Sequence, residues 1–189
     1  MNKEIIDKTI AALRHNHFEA FFAHNTAEAS AIFFRDIFPG LQVETVSWGD
    51  SETMKATGVL NELRKNPELS VIDLFLTGSN ALTQKGQLVN LDMIGNRVGG
   101  ITFGPKHVVL FIGINKITAN LEEAMHRVRT IAAPRNAIRH EGFRTPCHKT
   151  GVCMDCNSPD RICNVWTITE KSYPAGRIKV ILIGEELGL

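Results

Sequence analysis

Val71-Ile72-Asp73-Leu74-Phe75-Leu76 runs directly into Thr77-Gly78-Ser79-Asn80-Ala81-Leu82-Thr83-Gln84-Lys85-Gly86-Gln87-Leu88-Val89-Asn90-Leu91-Asp92-Met93-Ile94-Gly95-Asn96-Arg97. The first six residues are an apolar run with one Asp. Such a run reads as a strand buried on both faces, as in a mostly parallel sheet. The stretch from Thr77 to Arg97 is polar and glycine-rich, with Leu88 and Val89 apolar in its middle. A plain connection takes about 4–6 residues. So long a polar run on the end of a buried strand reads as a ligand-binding rim held on a sheet.

Outward from this point, strands and helices alternate. Residues 3–15 carry Ile6, Ile10 and Leu13 at helical spacing. Phe18–Ala23 is a short apolar strand. Thr26 reads as the N-cap of a helix to about Phe38, stopped by Pro39-Gly40. Gln42–Ser47 alternates as a strand, with Val43 and Val46 available for burial, and Trp48-Gly49-Asp50-Ser51 turns. Ser51 or Thr53 caps a short helix, and Val59–Lys65 is another helical piece ended by Asn66-Pro67. After the rim, Gln87–Leu91 and Gly100–Phe103 read as short strands and Val108–Gly113 as the strongest strand of the chain. Leu121–Ala133 is a helix with Leu121, Ala124, Val128 and Ile131 on one stripe and Pro134 as its stop. Val165–Thr169 and Arg177–Ile183 are the last strands. The alternation predicts an α/β fold with a mostly parallel sheet flanked by helices. It fits a single domain over residues 1–189, with a cysteine-rich loop inserted at about 144–165.

Composition narrows the function classes. The chain has 189 residues and a net charge of +1, with 43% hydrophobic and 22% charged residues. This balance implies no general attraction to nucleic acid or to a membrane surface. No apolar run approaches the roughly 20 residues of a membrane-spanning helix. Met1–Asp7 reads as a charged amphipathic opening rather than a secretory signal, so the expected location is cytoplasmic. The sequence is silent on oligomeric state, and no nucleotide cofactor is evident.

Three loops would gather at the carboxyl ends of the strands, where open α/β sheets bind ligands. Gly49-Asp50-Ser51-Glu52-Thr53 precedes a helix and suits an anionic group, or serves simply as a helix cap. Thr77-Gly78-Ser79-Asn80-Ala81-Leu82-Thr83 leads on to Asn90-Leu91-Asp92. Gly95-Asn96-Arg97 supplies a guanidinium fork for a carboxylate or phosphate, or a partner for Asp92 that stiffens the loop. Lys116, just after the strongest strand, is placed to bind a carboxylate or form a Schiff base, or else is a solvated strand-end lysine. The candidate ligand-binding residues are therefore Gly49, Ser51, Thr53, Gly78, Ser79, Asn80, Asn90, Asp92, Asn96, Arg97 and Lys116.

Gly78-Ser79-Asn80-Ala81-Leu82-Thr83, Gly86, Leu88-Val89-Asn90, Asp92 and Gly95-Asn96-Arg97-Val98 resemble the LUD family of lactate-utilization-type proteins, formerly a domain of unknown function. Gly104-Pro105-Lys106, Gly113-Ile114-Asn115-Lys116-Ile117, the cysteine segment and Arg177-Ile178-Lys179-Val180 continue the resemblance, closest to a short branch with a C-terminal four-cysteine segment. The resemblance implies a fold like that of ribose-5-phosphate isomerase and the CoA transferases. Asn80 stands where related sugar-phosphate isomerases carry a catalytic acid, and an amide is no general acid or base near neutral pH. Isomerase chemistry therefore does not carry over. Asp92 and Lys116 are the remaining catalytic candidates.

All four cysteines cluster at Cys147, Cys153, Cys156 and Cys163. In a chain without a secretory signal this favours metal or redox chemistry over structural disulfides. Cys153 and Cys156 form a chelating C-x2-C pair, and the outer two complete an S4 set for zinc or an iron–sulfur cluster. His140 and His148 are reserve ligands. A redox-active dithiol and free loop thiols are the alternatives, with Arg144, Lys149 and Arg161 near enough in sequence to favour thiolates. The expected functions are a binder of a small carboxylate, phosphorylated metabolite or CoA in organic-acid metabolism, an electron-transfer or assembly subunit with a redox protein partner, or a non-catalytic metabolite sensor.

Overall fold

The computed structural model describes residues 2–41, 45–49, 51–65 and 70–189. The strands are β1 (Glu19–Ala23), β2 (Thr45–Trp48), β3 (Ser70–Thr77), β4 (Ala81–Thr83), β5 (Leu88–Asp92), β6 (His107–Gly113), β7 (Ile117–Thr118), β8 (Val165–Thr169) and β9 (Ile178–Ile183). The helices are α1 (Lys3–His15), α2 (Thr26–Ile32), α3 (Glu52–Ala56), α4 (Val59–Leu63), α5 (Val98–Thr102), α6 (Leu121–Arg127), α7 (Ala133–Ile138) and α8 (Pro146–Thr150). The strand expected at Gln42–Ser47 is described only from Thr45. Val43, Asp50 and the Asn66-Pro67 stop lie outside the described residues.

A five-stranded sheet in the order β1-β9-β6-β3-β2 forms the centre, and every pairing in it is parallel. The long apolar runs follow from this position. Along β6, Val109 and Phe111 face one core while Val108, Leu110 and Ile112 face another. Along β9, Ile181 and Ile183 oppose Ile178, Val180 and Leu182 in the same way. Both faces are buried, so neither strand can alternate apolar with polar. On one face lie α2, α3 and α4, with the π-turn after α2, through Phe33, Met54, Val59 and Leu63. On the other lie α1 and α5, through Leu13 and Ile101, together with Leu82 and Leu88.

Leu82 and Leu88 belong to a second sheet, which the sequence did not separate from the first. Its order is β7-β4-β5-β8, with β4–β7 parallel and the other pairs antiparallel. The polar rim is thus largely a folded unit, in which β4 turns through Gly86 into β5. Its other side packs Ala81, Val89 and Leu91 against Ala124 and Val128. A β-carbon on Gly86 would lie 2.8 Å from the backbone carbon of Ala12, so this turn presses directly on α1.

Four local readings change. The N-cap of α2 is Asn25, whose side chain accepts from Glu28 N at 2.8 Å, rather than Thr26. That helix runs on through a π-turn, Phe33–Ile37. Gly100–Phe103 is not a strand: residues 98–102 form α5, started by Asp92, whose carboxylate accepts from Arg97 N (2.8 Å) and Val98 N (2.9 Å). Gly100 lets the helix lie against Phe75, whose ring would be 2.7 Å from a β-carbon there. Pro134 does not stop its helix either. A π-turn at Val128–Ala132 separates α6 from α7, so Pro134 falls in the first turn of a new segment, where its missing N–H costs little. The extra residue of the π-turn also rotates the stripe, leaving Ile131 partly exposed and burying Ala132.

Candidate functional site

Parallel pairing places the ends of β2, β3 and β6 on one edge, and a cleft of about 300 Å³ opens there. Ser51, Gly78, Ser79, Asn80, Asp92, Asn96, Arg97 and Lys116 all line it, joined by residues of the π-turn and α7. Gly49, Thr53 and Asn90 do not line it. Gly49 donates its N–H to Leu76 O (3.0 Å), which leaves no donor there for an anion. Its lack of a side chain makes room for Arg97, whose Cγ would be 2.7 Å from a β-carbon at 49. Ser51 is the N-cap of α3, accepting from Met54 N at 3.2 Å. The first loop is therefore a helix cap at the cleft wall.

The centre of the site is a lattice around Arg97. One nitrogen, Nη2, donates to the carboxylate of Asp92, to Asn80 Oδ1 (2.9 Å) and to Leu91 O (3.0 Å). Asn80 Oδ1 also accepts from Leu91 N (2.9 Å), and Asn90 Oδ1 accepts from Asn80 N (3.2 Å). Ser79 donates to Ala81 O at 2.8 Å. The Asp92 side chain is 1% exposed and that of Arg97 13%. Asp92 is thereby fully engaged as the acceptor that fixes Arg97, with no oxygen turned to acid–base work. Arg97 Nε and Nη1 and the Asn80 side-chain amide donor have no hydrogen bond to the described residues.

Lys116 ends the short 3-10 turn after β6 and is 5% exposed. Its amine donates to Thr53 Oγ1 (3.0 Å), which in turn donates to Leu187 O (3.2 Å). Burial pushes the amine down to about 7, helped by the nearby cations Arg127 and Arg97. The ordinary value is 10.5, so between about 7 and 10.5 the unfolded chain holds a proton here that the folded chain lacks. The folded protein therefore gains stability as pH rises through that window, and the penalty for burying the charge is full below it. Lys116→Met is expected to remove this gain. Urea unfolding of both proteins at pH 7 and pH 9 checks it, with a smaller difference between the two pH values in the variant.

Sequence reasoning missed the helical wall. Arg127, on α6, donates to Asn80 O (2.6 Å) and Asn115 O (3.1 Å) and carries positive charge behind the cleft lining. Asn136, Arg139 and His140 come from α7 and the residues after it. Arg139 bonds Asn136 Oδ1 at 3.1 Å, and His140 stacks on Phe143 with ring centroids 5.0 Å apart and does not line the cysteine hollow. On a helix these residues read as an ordinary polar face, so no local motif marks them.

The four cysteines are free and half-buried, and all of them line one hollow of about 20 Å³ walled by Ala133, Pro134, Met154 and Ile162. Asp155 takes a positive φ of 45° in the Cys153–Cys156 turn, and its N–H points to Cys153 Sγ at 3.5 Å. Arg161 ties the segment by donating to Cys163 O at 3.0 Å. Burial pushes the Cys163 thiol up, against the pull of Arg161. No group of three or more His, Cys, Asp or Glu side chains among the described residues is spaced to hold a metal ion. The four thiols nonetheless line one apolar-walled hollow. Ala133 and Ile162 line both this hollow and the cleft, so one layer of side chains separates the two.

Among the described residues no helix is long and apolar enough to cross a membrane. The chain is similar in fold to a DUF162 family protein from Deinococcus radiodurans, known from its crystal structure. The match has a TM-score of 0.55 over 95% of this chain and 96% of that one, at 14% identity. At that identity the likeness carries the fold alone. No functionally curated protein matches the chain. The LUD domain profile matches residues 64–183, a stretch that includes the rim, Arg97, Lys116 and all four cysteines. This match spans more than half of the sequence, and the chain belongs to the LUD domain family.

Proposed function

We propose that the cleft binds a small carboxylate-bearing metabolite, as a protein of lactate-type organic-acid metabolism in the cytoplasm. The observation that carries this reading is Arg97. It is held rigid through one nitrogen while two others, Nε and Nη1, face no protein acceptor among the described residues, and the buried Lys116 lines the same cleft. Nε and Nη1 lie on opposite sides of the guanidinium, so each offers a single charged donor to a carboxylate oxygen, and the fixed orientation of the group lowers the cost of ordering it on binding. Arg127, buried behind the lining, adds positive charge that reaches Lys116. The volume of about 300 Å³ supports a small acid over a whole CoA or a large phosphorylated sugar, because it lies at the lower end of ligand-site sizes. Thermal-shift screening against 2-hydroxy acids, 2-oxo acids, sugar phosphates and CoA tests the reading. A small acid is expected to stabilise the protein most. The same shift with CoA alone, or no shift with any of them, counts against it.

A second reading concerns the cysteines. We infer that they hold one metal ion, with Cys147, Cys153, Cys156 and Cys163 as ligands. The hollow of about 20 Å³ supports a single tetrahedral ion such as zinc over a four-iron cluster, since it has room for little more than one water-sized sphere. Bound there, the ion would tie the segment to α7 through Ala133 and Pro134 and so shape the shared wall of the cleft. An iron–sulfur cluster in the same place would make this an electron-transfer subunit with a redox protein partner.

A further inference from the structure

We propose that Lys116 is a nucleophile that condenses with the carbonyl carbon of a small 2-oxo acid or aldehyde acid held in this cleft. The proposal rests on the reading of the cleft as a carboxylate site and names the carbonyl compound as its ligand class.

Four observations carry it. First, the amine lies in a cleft yet is almost wholly buried, at 5% exposure. Second, its protein hydrogen bond, to Thr53 Oγ1, is one that a neutral amine makes equally well. Thr53 passes its own hydroxyl proton to Leu187 O, so it acts toward Lys116 as an acceptor. Third, no carboxylate among the described residues pairs with the amine. The side-chain carboxylates that line the cleft are bound elsewhere, Asp92 to Arg97 and Glu52 to Lys55 and Arg139, while Leu189, which also lines it, accepts from Arg127 Nη1 at 3.3 Å. The charged groups that act on it are both cations, Arg127 from α6 and Arg97 ahead of α5, so both favour the neutral form. Fourth, Gly188 packs its bare backbone beside the amine, where a β-carbon would sit 3.0 Å from Nζ and 2.7 Å from Thr53 Oγ1, so no side chain there crowds the nitrogen. A buried lysine in a desolvated, cation-flanked site is the usual setting of an imine-forming amine.

The roles then divide. An Arg97 N–H that has no protein acceptor among the described residues and the Asn80 amide take the carboxylate. The Lys116 lone pair attacks the adjacent carbonyl carbon, forming the C–N bond as the carbonyl π pair moves onto oxygen. That oxygen leaves as water, taking one proton that began on Nζ and one from solvent, and the nitrogen lone pair closes the C=N bond to leave a protonated imine that keeps the second Nζ hydrogen. No oxidant or reductant is needed, and the imine is an electron sink for whatever bond of the acid breaks next.

The test is reductive trapping. The full-length protein is incubated with pyruvate or glyoxylate and cyanoborohydride, digested and mapped by mass spectrometry. We expect the reduced adduct at Lys116 at least tenfold above exposed lysines such as Lys55 and Lys106, and its loss in Lys116→Arg. Labelling at Lys116 is expected to fall about fivefold from pH 7 to pH 6, following the neutral fraction of an amine that titrates at about 7. The wild-type map stands by itself should the variant fail to fold. Stabilisation by the acid without an adduct at Lys116 overturns the imine and leaves the carboxylate reading standing. Labelling spread evenly over the lysines also overturns the imine. No stabilisation and no adduct overturns both.

Discussion

Arg97→Ala is expected to lower the unfolding free energy by about 3–5 kcal/mol, the range for removing one partner of a buried ion pair. The substitution leaves Asp92, 1% exposed, with a carboxylate that has lost its cation. It also strips Asn80 Oδ1 and Leu91 O of a donor at 2.9 Å and 3.0 Å. For a chain of this size the change corresponds to a Tm lower by roughly 6–20 °C. Adding Asp92→Asn to Arg97→Ala is expected to return part of the loss, because it removes the stranded charge while an amide oxygen can still accept from Arg97 N and Val98 N. Urea unfolding of the wild type, both single variants and the double variant measures this. A loss below about 1 kcal/mol for Arg97→Ala would place the pair among ordinary surface ion pairs. Arg97→Lys keeps the charge but has no planar fork, so it is expected to retain much of the stability and little of the acid binding.

Cys153→Ser is expected to abolish metal binding, with the wild type, purified without oxygen, carrying one ion per chain. A C-x2-C pair supplies two of four ligands from one turn, so losing either thiol removes the chelate as well as one bond. Metal and sulfide analysis of the two proteins side by side decides the matter. Zinc alone fits the small hollow. Iron with matching sulfide means that the loop around Cys147 and Cys163 opens further than 20 Å³ to admit a cluster. No metal in either protein, after reconstitution too, removes the site and leaves four thiols behind the cleft wall. Chelation is expected to loosen the segment around α8 before the sheet, because Phe111, Leu110 and Val180 are buried without help from it.

The central sheet was legible in the sequence because burial on both faces forces long apolar runs, as in Val108–Gly113 and Arg177–Ile183. Its partner sheet was not. Ala81–Thr83 is too short to show a period, and its pairing with Ile117–Thr118 spans a long sequence gap. Gly100–Phe103 looked like a strand because Ile101 and Phe103 alternate with small residues, while the decisive N-terminal cap comes from Asp92, six positions ahead of Val98. The π-turn at Val128–Ala132 hid behind Pro134, since nothing local distinguishes a helix that stops from one that adds a residue.

The site divides the same way. Asn80, Asp92, Arg97 and Lys116 were legible through the resemblance and the polar composition of the rim. The division of labour among them was not, because it depends on distances. Asp92 and Arg97 satisfy each other, Asn90 and Thr53 stand behind the surface, and only then do Arg97 and Lys116 emerge as the groups with capacity to spare. Arg127 was invisible: its contacts, Asn80 and Asn115, lie on other elements, and on its own helix it is one more arginine.

Calorimetric titration of pyruvate and lactate into the wild type and Arg97→Lys tests the carboxylate site most directly. Saturable binding of at least one acid by the wild type, weakened tenfold or more in Arg97→Lys and weakened by added salt, is the predicted result. Equal binding by the two proteins, or none by a wild type shown to be folded, would contradict it.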